Sequence, residues 1–385
     1  MSNSLAKKIA ICTTTIFPIG TFLEEYCDNI SSFGHLEKVH VYIAGDNKSP
    51  AGCKEAAEKI SAKGLRTSFM SIQEQHDYLK RFADLIPIIP ENSDNRRNVA
   101  YLRALEEGAD IVISVDDDNF PLPGTDFAGE HMRIGRELTL PEAAGHEGWF
   151  NLCDLLEPRG GQAAKDANLY PRGFPYKYRC AETSMVSGAS TGKIGINVGL
   201  WSRDPDTDAI GRLYARPHIE KADGREVLLG RGVRCPINTQ NTALSREAMA
   251  AYYYVRMCES IKGMRLERFG DIFSGYFVQV CADAVGDRIR IGTPVADHRR
   301  NSHNLLVDLY NELAGIMILE DMASFLSAVS LPGDSYLSAY RALSRKLEAF
   351  AKEQEGFIWS SETKSYFAKI CGYMRTWADV VDSLK

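Results

Sequence analysis

The chain has no long apolar run. Its hydrophobic stretches break after a few positions, well short of the roughly 18 to 20 apolar residues that a membrane-spanning helix needs, so no transmembrane span is expected. The N-terminus, MSNSLAKKIAICTTTIFP, has two lysines and a short apolar run but no cleavage pattern, so no signal peptide is expected either. Paired cysteines are also missing. The nine that occur are odd in number, scattered, and never spaced C-x-x-C, which argues against a disulfide framework and a zinc site and for reduced thiols in a cytoplasmic protein. Neither sign of charge dominates: 45 Lys and Arg against 51 Asp and Glu leave a net charge of −6. No basic excess is available to hold nucleic acid, and a phosphate-bearing ligand needs a local cluster of Arg, Lys or metal. Internal repeats and low-complexity tracts are absent as well.

What is present is an alternation of short apolar runs and helical patterns. KIAICTT, KVHVYIAGD, RTSFMSI and DIVISV read as strands; TFLEEYCDNISSFG, CKEAAEKISAKG and RRNVAYLRALEEGA read as helices between them. Such spacing implies right-handed βαβ crossovers and a mostly parallel sheet, an α/β half of the nucleotide-binding type. Residues 120–200 are rich in Gly and Pro and poor in periodicity, with PRGGQAAKDANLYPRGFPYKYR the most irregular part, as expected of a functional loop region. Regular structure returns with VRCPINTQNTALSREAMAAYYYVR and GDIFSGYFVQVCADAVGDRIRIG, an αβ pairing. From Leu305 onward apolar residues recur at three and four, the pattern of packing helices. The expected organisation is an α/β domain over 1–304 and a helical appendage over 305–385, which covers the sheet or builds a homo-oligomer contact.

ADIVISVDDDNFPLP, residues 109–123, carries the chemistry. A buried strand ends at Asp116, Asp117 and Asp118, adjacent carboxylates that repel one another. A solvated acidic loop is one explanation. The other is a divalent cation: hard oxygens at the carboxyl end of a buried strand suit Mg2+ or Mn2+, which need only one or two protein carboxylates. Asp46, ending VYIAGD, falls on the same rim, where it either meets the ligand or makes a turn. Haloacid-dehalogenase phosphatases also carry an acidic motif after a strand, but near the N-terminus and followed by Thr. Here the triplet follows several βα units and precedes NFPLP.

An α/β half ending in an acidic triplet resembles nucleotide-sugar glycosyltransferases of the A-type fold. Further segments narrow this. RRNVAYLRALEEGADIVISVDDDNFP, RGFPYKYR, NVGLWSRDPDTDA, PINTQNTALSRE, RFGDIFSGYFVQVCADAVGDRIRIGTP and DHRRNSHN occur in this order. Together they resemble the plant reversibly glycosylated polypeptides, the UDP-arabinopyranose mutase family, from about Lys8 to about Glu312, with the C-terminal helices outside.

The resemblance implies a metal-assisted enzyme that transfers or isomerises the glycosyl group of a nucleotide sugar, a UDP-sugar by expectation. A transferase acting on a separate small molecule or glycan, and a non-catalytic nucleotide-sugar-binding subunit of a mutase complex, are the alternatives. By the same resemblance Asp118 is the direct metal ligand, Asp116 and Asp117 serve the sugar diphosphate or ribose, and His298 is a further metal or diphosphate contact. Arg97 either neutralises phosphate or lies on a solvated helix face. Asn241 stands before a helix on the acceptor side. Asp206 and Asp208 bind or fix a turn. Asp271 matches the second of two acidic residues in the family pattern; Gly270 replaces the first, which weakens a paired-carboxylate mechanism and leaves Asp271 as a lone base or sugar ligand. Arg179, the last residue of RGFPYKYR, matches the arginine expected to be reversibly glycosylated or to clamp the diphosphate.

Overall fold

The computed structural model describes residues 7–160, 169–179 and 185–384. Residues 161–168 of the irregular segment, the first six residues and Cys180 lie outside the described residues. Four parallel strands form the first half of a sheet: β1 (Ile9–Thr15), β2 (Val39–Gly45), β3 (Arg66–Met70) and β4 (Ile111–Val115). Helices Gly20–Ser32, Gly52–Ala62 and Arg97–Glu106 fall where the helical patterns lie. Side chains of a strand alternate between faces, and β1 uses both: Ile9 and Ile11 join Phe22, Tyr26 and Ile60 in one core, while Ala10 and Cys12 join Val99 and Leu102 in the other. A strand buried on both faces reads as a continuous apolar run, which is why IAIC and IVISV stand out in the sequence.

Beyond β4 the sheet is mixed. It adds β5 (Asn119–Pro121), β6 (Glu137–Ala143), β7 (Leu156–Pro158), the 19-residue β8 (Met185–Arg203), β9 (Ile219–Ala222), β10 (Val227–Leu229), β11 (Asn241–Ser245) and β14 (Arg288–His298). A separate hairpin pairs β12 (Glu259–Ile261) with β13 (Met264–Leu266). The main order runs β3-β2-β1-β4-β11-β8-β6-β10-β14-β5. β11 is antiparallel to both β4 and β8, and β14 runs parallel to β8 through a register shift between Gly292 and Val295. The pairing His298↔Asn119 brings the end of β14 beside the residue that follows the acidic triplet.

The last three helices span Leu305–Ala328, Tyr336–Glu353 and Ser361–Asp382. Asn304 starts the first by accepting hydrogen bonds from the N–H groups of Leu306 and Val307, and Ser335 caps the second. Their apolar stripes face inward: Leu343, Phe367, Met374 and Trp377 belong to the same core as Val99 and Ile289. The appendage is helical as expected and packs on the helix Gly270–Val285 and the β12–β13 hairpin, sharing the core of the α/β part rather than standing as a separate body. Among the described residues no helix is long and apolar enough to cross a membrane.

Candidate functional site

The buried strand β4 ends in a tight turn, closed by the Asn119 N–H donating to the Asp116 carbonyl at 3.0 Å. The turn splays the three carboxylates toward three different elements. Asp116 turns to Arg97, whose guanidinium lies 2.7 Å away at the start of helix Arg97–Glu106, and it accepts from the Thr239 hydroxyl. Asp117 accepts from the hydroxyl of Thr15, at the end of β1, at 2.5 Å. Asp118 faces β14 and the segment after it, with His298 Nε2 at 3.4 Å and the Asn301 N–H also at 3.4 Å.

The environments set the three apart. Burial raises the Asp117 carboxyl to about 6; the Thr15 hydrogen bond opposes this, and the charges of Asp118 and Asp116 add to it. Asp118 is also buried, but His298, the Asn301 N–H and Arg300 outweigh burial and hold its carboxyl below the ordinary value. Reciprocally, Asp118 and Asp206 raise His298 against the effect of its own burial. The second ring nitrogen of His298 is hydrogen-bonded to the Asp204 carbonyl, which fixes the ring.

These groups line a cleft of two adjoining compartments, about 300 and 140 Å3, which share Asp94, Asp116, Asp118 and Tyr254. The larger compartment runs past Asp46 and Thr14–Ile16. The smaller is built around Arg172, whose side chain is 6% exposed. Its guanidinium donates to both oxygens of Asp206 at 3.1 and 3.0 Å and to both oxygens of Asp271 at 3.1 and 2.8 Å. It also donates to the Arg268 carbonyl. Asn238 donates to Asp206 at 2.7 Å, so every member of this buried cluster is partnered.

The family model described as reversibly glycosylated polypeptide matches residues 164–385. The chain belongs to that family. Relatives include a protein named "Probable UDP-arabinopyranose mutase 2" from Solanum tuberosum, 28% identical over 56% of this chain and 54% of the relative. Another is "UDP-arabinopyranose mutase 1" from Arabidopsis thaliana, 26% identical over 56% of this chain and 55% of the relative. The chain thus spans about half the length of these curated relatives. A solved structure to which it is similar is a mannosyltransferase from Pyrobaculum calidifontis in complex with GDP-Man and Mn2+, at 12% identity and a TM-score of 0.40 over 99% of this chain and 86% of that one.

The extent of the reversibly glycosylated polypeptide match corrects one expectation. It carries through the C-terminal helices, which the sequence reading set outside the resemblance, and it begins only after the acidic triplet. Arg172, Asp206, Asp271 and His298 lie within it.

Of the candidate residues in this family member, Asp46, Arg97, Asp116, Asp117, Asp118 and His298 converge on the cleft. Arg97 is not on a solvated face: it is 3% exposed, donates to Ser114 and the Thr239 carbonyl, and has an Nε without a partner. Asp46 keeps one buried carboxylate oxygen unpartnered and also makes the turn, with the Lys48 N–H donating to the other oxygen. Asp271 reaches the cleft as a partner of Arg172; with both oxygens accepting from that guanidinium it is an anchor, not a free base. Gly270 has a steric reason. A Cβ there would stand 2.8 Å from Tyr254 Cε1 and collide with the Val255 carbonyl, so this backbone has no room for the acidic residue of the family pattern.

Two candidates lie elsewhere. Asn241 begins strand β11, not a segment before a helix, and is fully buried. Its amide donates to the Leu200 and Pro294 carbonyls and its oxygen meets His131, so it ties neighbouring strands together. Arg179 lines a different cavity: its guanidinium pairs with Asp208 at 2.5 Å and lies 3.6 Å from the Tyr176 ring centroid. The arginine of RGFPYKYR that enters the cleft is the first, Arg172, together with Asp206, for which the sequence leaves binding and fixing a turn equally open.

A divalent cation fits the donor chemistry. Among the described residues no group of three or more His, Cys, Asp or Glu side chains is arranged to hold a metal. Asp118 and His298 converge as a pair, and Mg2+ or Mn2+ characteristically takes one or two protein ligands and completes its shell with water and phosphate. The raised Asp117 carboxyl, burdened by two neighbouring carboxylates, is what a nearby cation relieves.

Proposed function

We propose that the chain binds a nucleoside diphosphate sugar in this cleft, a UDP-sugar by its family, and transfers or isomerises the glycosyl group. The observation that carries the reading is the divergence of three adjacent carboxylates at the end of a buried strand, with Arg97 and His298 as partners. Asp118 and His298 would hold Mn2+ or Mg2+, which when bound neutralises charge on the departing diphosphate. The rest falls to the chain's own residues. Asp46 and the β1 rim border the nucleoside side of the cleft. Arg97 holds Asp116 in place from beneath. Arg172, locked in a planar fork by Asp206 and Asp271, offers the sugar end a fixed cationic surface backed by carboxylates. Cytoplasmic location and a homo-oligomer contact through the C-terminal helices remain part of this reading.

A second reading has its own support. Gly270, where no acidic side chain fits, and Asp271, fully engaged by Arg172, favour a member that binds a nucleotide sugar without turning it over, as a subunit of a mutase complex. Titration with UDP-sugars in the presence and absence of Mn2+, followed by chromatography for released UDP or an interconverted sugar ring, separates the readings. Metal-dependent binding with product supports the enzyme, and binding without product supports the subunit. Failure to bind any nucleotide sugar would sink both.

A further inference from the structure

Five aspartates and three arginines line the smaller compartment of the cleft. Four of the five aspartates are committed to cationic groups: Asp116 to Arg97, Asp118 to His298, and Asp206 and Asp271 to Arg172. Asp94 is the exception. Among the described residues no ion pair reaches its carboxylate, which accepts from two neutral hydroxyls, that of Tyr254 at 2.8 Å and that of Ser93 at 3.4 Å. It is exposed and borders both compartments. A carboxylate offers about four lone-pair sites, so two remain for a ligand.

The support beneath Asp94 is fixed. Tyr254 is 4% exposed, its N–H donates to Asn98 Oδ1 at 2.9 Å, and its carbonyl accepts from the side-chain amides of Asn95 and Asn98, both fully buried. Its ring fills the space beside Gly270 that a side chain there would need. Burial, and next the charge of Asp94, keeps the Tyr254 hydroxyl protonated, so it stays a donor and holds the carboxylate in one orientation.

On the reading of the cleft as a nucleotide-sugar site, we propose that Asp94 is the residue that recognises the glycosyl ring, accepting from two adjacent ring hydroxyls, and that Tyr254 is the positioning residue that presents it. Asp46 and Thr14–Ile16 border the larger compartment alone. What fills the smaller one therefore lies beyond the nucleoside and the diphosphate. A site built to pair a substrate hydroxyl discriminates far more sharply than an apolar contact does. A carboxylate without a cation also repels an anionic ring substituent, so the same residue selects against a uronate.

Calorimetric titration of the full chain in Mn2+ tests this, with UDP, UDP-glucuronate and two neutral sugar nucleotides, UDP-glucose and UDP-arabinopyranose. Wild type is expected to hold the better neutral sugar nucleotide more tightly than the glucuronate. Asp94→Asn keeps the shape and removes the charge; it is expected to weaken the neutral sugar nucleotide about tenfold or more, to leave UDP within about twofold, and to narrow the preference over the glucuronate. Tyr254→Phe keeps the ring in place and is expected to weaken the same ligand about threefold, again sparing UDP, with thermal midpoints preserved in both variants. Three results would overturn the proposal while leaving the reading of the cleft intact: unchanged affinity for the neutral sugar nucleotide in Asp94→Asn, an equal loss for UDP, which would put the carboxylate on the ribose, or a wild type that binds UDP but prefers the glucuronate. A wild type that binds neither UDP nor any of the sugar nucleotides would overturn both.

Discussion

Replacing Arg172 by methionine keeps the aliphatic stem and removes the guanidinium that four carboxylate oxygens share. Asp206 and Asp271, 2% and 3% exposed, then lose the cation that bridges them, with only the more distant Arg268 and Arg300 left near Asp206. Breaking a buried ion pair by removing one partner costs about 3–5 kcal/mol, because the remaining charge is uncompensated. Unfolding entropy near 2.1 cal/mol/K per residue gives roughly 0.8 kcal/mol/K for a chain this long, so the midpoint is expected to fall about 4–6 °C. Calorimetry of the wild type, Arg172→Met and the triple variant Arg172→Met/Asp206→Asn/Asp271→Asn distinguishes charge imbalance from lost packing. The triple variant removes the orphaned charges and is expected to recover most of the midpoint, yet to stay impaired in nucleotide-sugar affinity because the fork is gone. A midpoint within a degree of wild type in Arg172→Met would refute the burial argument. Unaltered affinity in both variants would remove Arg172 from the ligand.

Three further outcomes follow from the geometry. Asp118→Asn keeps the shape but loses the charge opposite His298, so UDP-sugar affinity in Mn2+ is expected to drop at least about tenfold; equal affinities would end the metal-site reading. Gly270→Ala puts a methyl group against Tyr254 and the Val255 carbonyl, and its overpacking is expected to cost about 1–3 kcal/mol in denaturant titration, with an unchanged midpoint counting against the steric account. Burial, with Arg290 nearby, lowers His131 to about 3, so it is neutral in the fold while the unfolded chain takes up its proton below about 6.5. Stability from this group is therefore lost as pH falls through that window, by about 2–3 kcal/mol at pH 4.5, and His131→Asn is expected to flatten the pH slope; an identical slope would show that the ring already carries a proton in the fold.

The parallel half and the acidic rim were legible because they depend on local pattern. Val112, Ile113 and Val115 announce a buried strand, and Asp116 must then lie at its end. The Arg172 cluster was not, because its carboxylates come from 34 and 99 residues further along and nothing local distinguishes a clamped arginine from a solvated one. Asn241 misled for a related reason: SREAMAA after it has helical composition, but the strand pairing of NTALS with Val112 and Ile196 prevails and only a short 3-10 turn follows. Strand β8 escaped notice because its Gly, Ser and Thr residues blur the alternation, and its pairing with β6 and β14 supplies the order that its composition does not. The family resemblance pointed to the RGFPYKYR segment, but only the folded side chains show which of its arginines lines the same compartment as Asp116 and Asp118.

The partners of Asp116, Asp117 and Asp118 give the triplet a consequence for assembly. Thr15 lies 102 residues before Asp117, and Asn301 lies 183 residues after Asp118. Closing loops of this length is entropically costly and comes late relative to local structure. The recognition surface therefore does not exist in any early intermediate that lacks β14, even though such a species already carries all three aspartates. The nucleotide sugar proposed above, if it bridges these groups, would act as a latch between distant parts of the chain: its binding energy would add to the stability of the whole fold and protect it from proteolysis. A fragment truncated before β14 keeps the motif in full and loses the latch.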